Sequence, residues 1–123
     1  MTTTAISSKQ LIEEYIDALS NNPRTEELID KYVADPSLKA HILQTEAGFP
    51  GYQLVPEHLI AEGDMVALQG KVHGTHRGTY AGIEATGKEI VEDVAVFYRV
   101  EDRKITWHKI LADMTKVLAE LRG

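Results

Sequence analysis

The side chains of this chain that could exchange protons are its five histidines and its carboxylates, since the sequence contains no cysteine. Histidine titrates near neutral pH, and a partly buried carboxyl group can have its pKa raised into a useful acid–base range. His76 and His108 lie in segments that we expect to be strands, and Asp113 follows the second of these segments directly. These three residues are the candidate catalytic groups, acting as general acid, general base or hydrogen-bond donor.

Each of the three also has a structural interpretation. Asp113 directly precedes an apolar helical pattern, where aspartate is a preferred N-cap, and the sequence alone favours capping over catalysis, although one residue can do both. His76 shares strand parity with Val66 and Leu68, so we expect it in the interior, either as a hydrogen-bonded core histidine or in a pocket. His108 is either a buried neutral imidazole or a general base.

The remaining polar residues of the strands give weaker signals. His73 and His76 are three apart, so strand alternation sends them to opposite faces and a two-histidine metal site is poorly supported. His73 and His58 are expected in solvent. Glu92 and Asp93 are charges in an otherwise apolar strand, on opposite faces, so at least one of them is predicted to face an enclosed region.

Aromatic residues supply the candidate substrate contacts, which are Tyr15, Tyr32, Tyr98 and Trp107. The first two lie on the apolar stripes of predicted helices, where core packing is the expected role, but a phenol on a covering helix could reach into a pocket. Packing or a dimer interface is the expected role of Trp107, ahead of ligand contact. His41 lies on a predicted helix and could face either way.

Length and composition limit the possible classes of protein. The chain has 123 residues, of which 43% are hydrophobic and 26% charged, so we expect a single domain over residues 1–123 with a real core. Thirteen basic residues against 19 acidic ones give a formal charge of −6, which disfavours nucleic acid and anionic membranes as partners.

The motifs and targeting signals that the sequence lacks limit the possible classes of protein further. We find no phosphate-binding glycine loop, His-Glu-x-x-His or Gly-x-Ser-x-Gly motif, and no apolar run approaches the roughly 18 residues of a membrane span. The first residues lack the features of a signal peptide, so we expect a cytoplasmic protein.

The first third of the chain has helical periodicity. Leu11, Ile12, Tyr15, Ile16 and Leu19 form one stripe, with Ser7 and Gln10 as a capping box before it and the Asn-Asn-Pro stretch at 21–23 after it. A second helix is predicted after Thr25. A third is predicted after Asp35, with proline at its first position, and ends near Gly48.

The remainder alternates as strands, predicted over 52–61, 65–76, 89–100 and 105–112, with a final helix after that. Helices followed by hairpin-connected strands predict an α+β fold with an antiparallel sheet. Gly70 and Gly74 lie inside the second strand, where glycine marks a bulge, a bend or a close approach. We therefore expect a strongly curved sheet with a hollow on its helix-covered side.

Both faces of the predicted sheet carry apolar residues. Val94 and Val96 lie on one face of the third strand and Phe97 on the other, while parity places Ile105, Trp107 and Leu111 together in the fourth. One layer of helices covers only one face. A second subunit is the simplest cover for the other, so we expect a homodimer packed through the sheet.

Residues 47–114 resemble the SnoaL-like polyketide cyclases, often called ester cyclases, within the nuclear transport factor 2-like superfamily. The segments that carry this likeness are, in chain order, 47–50, 60–67, Gly74-Thr75-His76-Arg77-Gly78, 85–87, Phe97-Tyr98-Arg99-Val100-Glu101-Asp102, 104–105, Trp107-His108 and Asp113-Met114. The resemblance implies a cone-shaped fold, in which N-terminal helices pack on the curved sheet around an apolar pocket, usually in a homodimer. It also implies aldol-type ring closure without metal or organic cofactor, with Asp113 matching the acid/base aspartate and His76 and His108 matching pocket histidines.

Two kinds of function remain open. In the first, a small, mainly apolar molecule with a carbonyl or ester group binds in the pocket and undergoes cofactor-independent cyclisation, isomerisation or hydrolysis. In the second, the chain is a non-catalytic small-molecule-binding or dimerisation module, since a fold alone does not determine function. The two differ in whether Asp113, His76 and His108 share one cavity that solvent can reach.

Overall fold

Three helices lead into an antiparallel sheet, and a fourth helix follows it, in the computed structural model, which describes residues 7–123. The helices are α1 (Ser8–Asn21), α2 (Glu26–Tyr32), α3 (Pro36–Gly48) and α4 (Met114–Arg122). The strands are β1 (Gln53–Glu62), β2 (Met65–Thr75), β3 (Glu89–Glu101) and β4 (Lys104–Ala112), and they neighbour one another in that order. The predicted α+β class and antiparallel pairing are confirmed.

Side-chain caps begin each helix where the sequence predicts it. The Ser7 hydroxyl accepts from the backbone of Gln10 while the Gln10 side chain accepts from the backbone of Ser7, which is a complete capping box. Thr25 caps α2 and Asp35 caps α3, with proline at the first position of α3. Asp113 caps α4. These hydrogen bonds satisfy backbone N–H groups that have no partner inside the helix.

Gly70 in β2 lies against the backbone of β1. A Cβ atom at this position would lie 2.2 Å from the carbonyl oxygen of Val55, so no larger residue fits without a shift of the backbone. The register of β1 changes between Pro56 and His58, directly beside this contact. The prediction of a bulge or close approach at this glycine is confirmed, and a bulge bends and twists the strand that contains it.

A second bulge overturns one expectation about β4. Arg99 pairs with Trp107 and Val100 with Ile105, so the residue between Ile105 and Trp107 is extra in the ladder. Ile105 is fully buried, whereas Trp107 and Leu111 are 41% and 50% exposed. The prediction that these three share a face is wrong for Ile105, because an extra residue reverses the alternation of side chains.

The core lies between the helices and the inner face of the sheet. Its main cluster joins the stripe of α1 to buried residues of α2, α3, β2, β3 and β4, including Ile12, Ile29, Ile42, Leu68 and Val96. A smaller cluster of Phe49, Ile90, Val117 and Leu121 holds α4 against β3.

The opposite face of the sheet carries exposed apolar side chains. They are Val55, Ile60, Val91, Phe97, Trp107 and Leu111. Among the described helices, none is long and apolar enough to cross a membrane.

Candidate functional site

An apolar cavity of about 100 Å³ lies between α3, the inner face of the sheet and α4. Apolar side chains form most of its wall, among them Val72, Ile90, Val94, Ile110, Met114 and Val117. Other depressions on the molecule are wider, including one of about 390 Å³ beside His73 and Glu89, but that one is more open and mostly polar. The less open, more apolar cavity beside α3 and α4 is therefore the better ligand site.

A buried carboxylate faces this cavity. Glu92 lies on the inner face of β3 and is 6% exposed. The Nζ atom of Lys116, on α4, lies 3.0 Å from its Oε1 atom, outside the direction of a hydrogen bond, so the contact is an ion pair. Asp93 faces outward and pairs with Lys71 at 2.6 Å. The prediction that at least one of these two acids faces an enclosed region is confirmed.

His41, on α3, supplies an imidazole to the same cavity. Burial lowers the pKa of His41, and the charge of the nearby His108 lowers it further, so the ring is neutral at pH 7. The Thr45 hydroxyl, also in the wall, donates to the backbone carbonyl of His41 at 2.8 Å. The sequence left the direction of His41 open, and the tertiary structure turns it inward.

His108 is held by a carboxylate that the sequence analysis assigned only to a helix cap. Its Nδ1 atom lies 2.8 Å from Oδ2 of Asp35, and the two side chains are 11% and 12% exposed. Burial alone would raise the pKa of Asp35, but the hydrogen bonds with His108 and with the backbone N–H of Ser37 outweigh burial and lower it. His108 lies two residues before Ile110, a wall residue, on the same face of β4.

His76 is fully buried behind the cavity wall. The backbone N–H of Thr86 donates to its Nδ1 atom at 3.2 Å, which places the ring proton on Nε2. That Nε2 atom has no hydrogen-bond partner among the described residues. The ring lies 5.3 Å from the ring of Phe49, which does line the cavity.

Asp113 is exposed, and its carboxylate accepts from the backbone N–H of Lys116 at 3.0 Å as the N-cap of α4. Its two chain neighbours, Ala112 and Met114, line the cavity. Within residues 7–123, no hydrogen bond or ion pair joins Asp113, His76 or His108 to another of the three. None of the three lines the cavity, and they do not form one cluster.

The candidate substrate contacts lie away from the cavity. Tyr15, Tyr32 and Tyr98 are buried in the main core, with ring centroids 6.2 Å apart for Tyr15 and Tyr32 and 6.0 Å apart for Tyr15 and Tyr98. Burial raises the pKa of Tyr15 and of Tyr98, so both phenols are neutral. Trp107 lies on the outer face of the sheet.

Other tyrosines line the cavity instead. They are Tyr52, just before β1, and Tyr80, in the loop after β2. Burial raises the pKa of Tyr52 to about 12, and the Arg24 guanidinium covers its ring at 4.0 Å from the centroid. Sequence reasoning missed both, because neither lies on a periodic apolar stripe. Among the described residues, no group of three or more His, Asp or Glu side chains is arranged to hold a metal ion.

These features define a class of protein, in which helices cover an antiparallel sheet and a small apolar cavity lies between them. A family model for SnoaL-like polyketide cyclases matches residues 8–121, so the chain belongs to that family. No functionally curated protein matches the chain.

Solved structures agree on the fold. A SnoaL-like polyketide cyclase from Agrobacterium tumefaciens superposes with a TM-score of 0.76 at 16% identity, covering 95% of this chain and 99% of that chain. AclR, a proposed hydroxylase from Streptomyces galilaeus, superposes with a TM-score of 0.77 at 23% identity, covering 94% of this chain and 80% of that chain. TsrD from Streptomyces laurentii superposes with a TM-score of 0.72 at 21% identity, covering 91% of this chain and 92% of that chain. At these identities the likeness shows the fold alone.

Proposed function

We propose that the protein binds a small, mainly apolar molecule with a carbonyl or ester group in the cavity and acts on it by acid–base chemistry without a cofactor. The reaction classes that fit are aldol-type cyclisation, isomerisation and hydrolysis. The observation that carries the proposal is that a neutral imidazole, His41, and a buried carboxylate, Glu92, both line one apolar cavity. Membership of a polyketide cyclase family supports small-molecule binding or cyclase activity.

Proton transfer in this cavity begins at His41. A neutral imidazole accepts a proton from a carbon or water beside a carbonyl, and a low-polarity wall strengthens its interaction with developing charge. His108 lies close enough for its charge to act on His41, and Asp35 orients the His108 ring. Such a carboxylate–histidine pair favours one tautomer and supports proton transfer.

The cavity volume limits the ligand. About 100 Å³ is below the roughly 300 Å³ at which sites for drug-sized ligands begin. The bound part of the ligand is therefore small, or the ligand extends past Met114 and Ala112 toward solvent. Asp113 lies between these two residues, and this is the position from which its carboxylate would reach such a ligand.

A non-catalytic role is the second candidate, and the position of Asp113 favours it: its carboxylate already caps α4. The D113N variant distinguishes a catalytic role of Asp113 from a purely capping one. Asparagine caps a helix as well as aspartate does, but it carries no exchangeable carboxyl proton. If Asp113 is the acid–base group, D113N binds ligand with unchanged affinity and loses turnover. Full turnover by D113N would remove Asp113 from the mechanism.

Ligand binding is tested by blocking the cavity. Ala112 lines it, so A112L fills part of the space, while A119L makes the same change on the exposed face of α4. A panel of small ketones and esters is screened by thermal unfolding, in which a ligand at 100 times its Kd stabilises by about 2.7 kcal/mol. We expect hits to stabilise the wild type and A119L but not A112L. Equal stabilisation of A112L would place binding elsewhere, and turnover of a hit would distinguish enzyme from binding module.

The unpartnered outer face supports the homodimer, which we also propose. Residues from β1, β3 and β4 contribute exposed apolar side chains to it, including Ile60, Phe97 and Leu111. Exposed apolar patches of this kind mark interaction sites.

A further inference from the structure

Glu92 is an unusual residue to find in the wall of an apolar cavity. Its side chain is 7% exposed, and its Oε1 atom receives no hydrogen bond within residues 7–123. A buried carboxylate is costly unless a positive charge or hydrogen bonds compensate it. The ammonium group of Lys116, 3.0 Å from Oε1, supplies that charge.

Lys116 is a loosely held partner for so buried an acid. Its side chain is 56% exposed, and it enters from the first turn of α4. Contact with the Glu92 carboxylate raises the pKa of Lys116, so the ammonium form persists at neutral pH. The helix itself is anchored by Val117 and Leu121, both buried. The lysine stem is flexible, so its ammonium group can leave Glu92 without displacing α4.

The rest of the cavity suits a cation. Its lining contains no lysine or arginine among the described residues, and the lowered pKa of His41 keeps that imidazole neutral. Phe49, Tyr52 and Tyr80 contribute aromatic rings, whose faces attract cations. The Arg24 guanidinium already covers one ring, that of Tyr52, in this way. The formal charge of −6 draws cations toward the molecule as a whole.

We propose that the ligand of this cavity carries a protonated amine, which replaces the Lys116 ammonium group on the Glu92 carboxylate. The proposal rests on the function proposed above and adds the chemical class of the ligand. One ammonium group leaves Glu92 as another arrives, so the buried charge stays compensated throughout. The amine would anchor one end of the ligand and leave its apolar, carbonyl-bearing part beside His41.

Two probes of nearly equal size test the exchange, n-butylammonium and 1-butanol. Their affinities are measured at pH 7 and constant ionic strength by titration in two-dimensional NMR, following the amide signals of wall residues Ile90 and Ile110. The variants E92Q and K116M remove one partner each. Matched controls are D93N and K71M, which make the same changes in an ion pair between β3 and β2 on the outer face of the sheet. Thermal unfolding of every variant confirms folding.

The expected pattern is opposite for the two partners. K116M binds n-butylammonium about tenfold more tightly than the wild type, the effect of one charge-assisted hydrogen bond, while its affinity for 1-butanol stays within about twofold. E92Q binds the amine no better than the alcohol. D93N and K71M behave as the wild type. If E92Q fails to fold, K116M still decides the question, because its preference for the amine must rise.

Each contrary result has its own meaning. An amine-to-alcohol preference that is the same in the wild type, K116M and E92Q would overturn the exchange while leaving the cavity as a binding site. The same conclusion follows if 1-butanol binds and n-butylammonium does not. If neither probe perturbs the wall residues in any variant, the cavity is not a ligand site, and the proposed function fails with the exchange.

Discussion

Replacement of Asp35 by asparagine isolates the contact that positions His108. Asp35 has two tasks: one carboxylate oxygen caps α3 through the backbone N–H of Ser37, and the other holds His108 at 2.8 Å. Asparagine is equal to aspartate as an N-cap. The D35N variant therefore keeps the cap and loses the charge-assisted hydrogen bond to the imidazole.

The magnitude follows from burial and charge. The two side chains are 11% and 12% exposed, so solvent screens their contact only weakly. A hydrogen bond to a charged group contributes about 1.5–3 kcal/mol, and the asparagine oxygen or amide recovers part of it. We expect D35N to lower the free energy of unfolding by about 1–2 kcal/mol, which lowers Tm by about 3–8 °C for a domain of this size.

The coupling between Asp35 and His108 is measured by urea unfolding at pH 7. The cycle compares the wild type, D35N, H108Q and the double variant. D113N is the matched control, because it makes the same change at the cap of α4, where no histidine is attached. The lowered pKa of Asp35 means that its contribution is present at neutral pH and is lost as pH falls through that pKa, below the ordinary value of 3.8. The difference in free energy of unfolding between the wild type and D35N should therefore shrink as pH falls below about 3.8.

Two results would refute this reasoning. One is a D35N variant whose free energy of unfolding lies within about 0.3 kcal/mol of that of D113N and shows no coupling to H108Q beyond the usual additivity error. The other is a loss that stays constant down to the pH at which Asp35 is protonated. Either would show that the contact at 2.8 Å contributes nothing beyond the cap.

Two further predictions concern His41 and the outer face of the sheet. Because burial lowers the pKa of His41, the unfolded chain takes up a proton first, so stability falls as pH decreases below about 6.5, by at most about 1.4 kcal/mol per pH unit. H41Q should flatten this part of the curve in urea unfolding, and an unchanged slope would assign the proton to another group. Leu111 is 50% exposed on the proposed dimer face. L111K should convert a dimer to a monomer in sedimentation velocity, whereas A119K, which adds the same charge on the exposed face of α4, marks the effect of charge alone. A monomeric wild type would remove the dimer proposal.

Local signals in the sequence were sufficient for the elements. Ser7 with Gln10, Thr25, Asp35 and Asp113 are caps whose hydrogen bonds span at most three residues, so residue type and spacing predict them directly. Alternation in β3 likewise predicted which side chains share a face. Gly70 indicated a close approach because a glycine inside a strand has few other uses.

The site depended on contacts that no local pattern encodes. His108 and Asp35 are separated by 73 residues, and Asp35 already had a sufficient local explanation as a cap. Neither Tyr52 nor Tyr80 lies on a periodic stripe, and the bulge before Trp107 reversed the faces of β4 in a way that counting residues could not reveal.

The sequence by itself therefore determined the class of fold, the order of its elements, the ends of its helices and the family. Hydrogen bonds between near neighbours and the alternation of apolar side chains carry that information. The tertiary structure alone decided which polar groups meet the cavity: His41 turned inward, Glu92 facing Lys116, and Asp113 committed to a helix cap. The reason is physical, since a cavity wall is assembled from α3, the strands and α4, and their relative placement depends on packing among residues far apart in the chain.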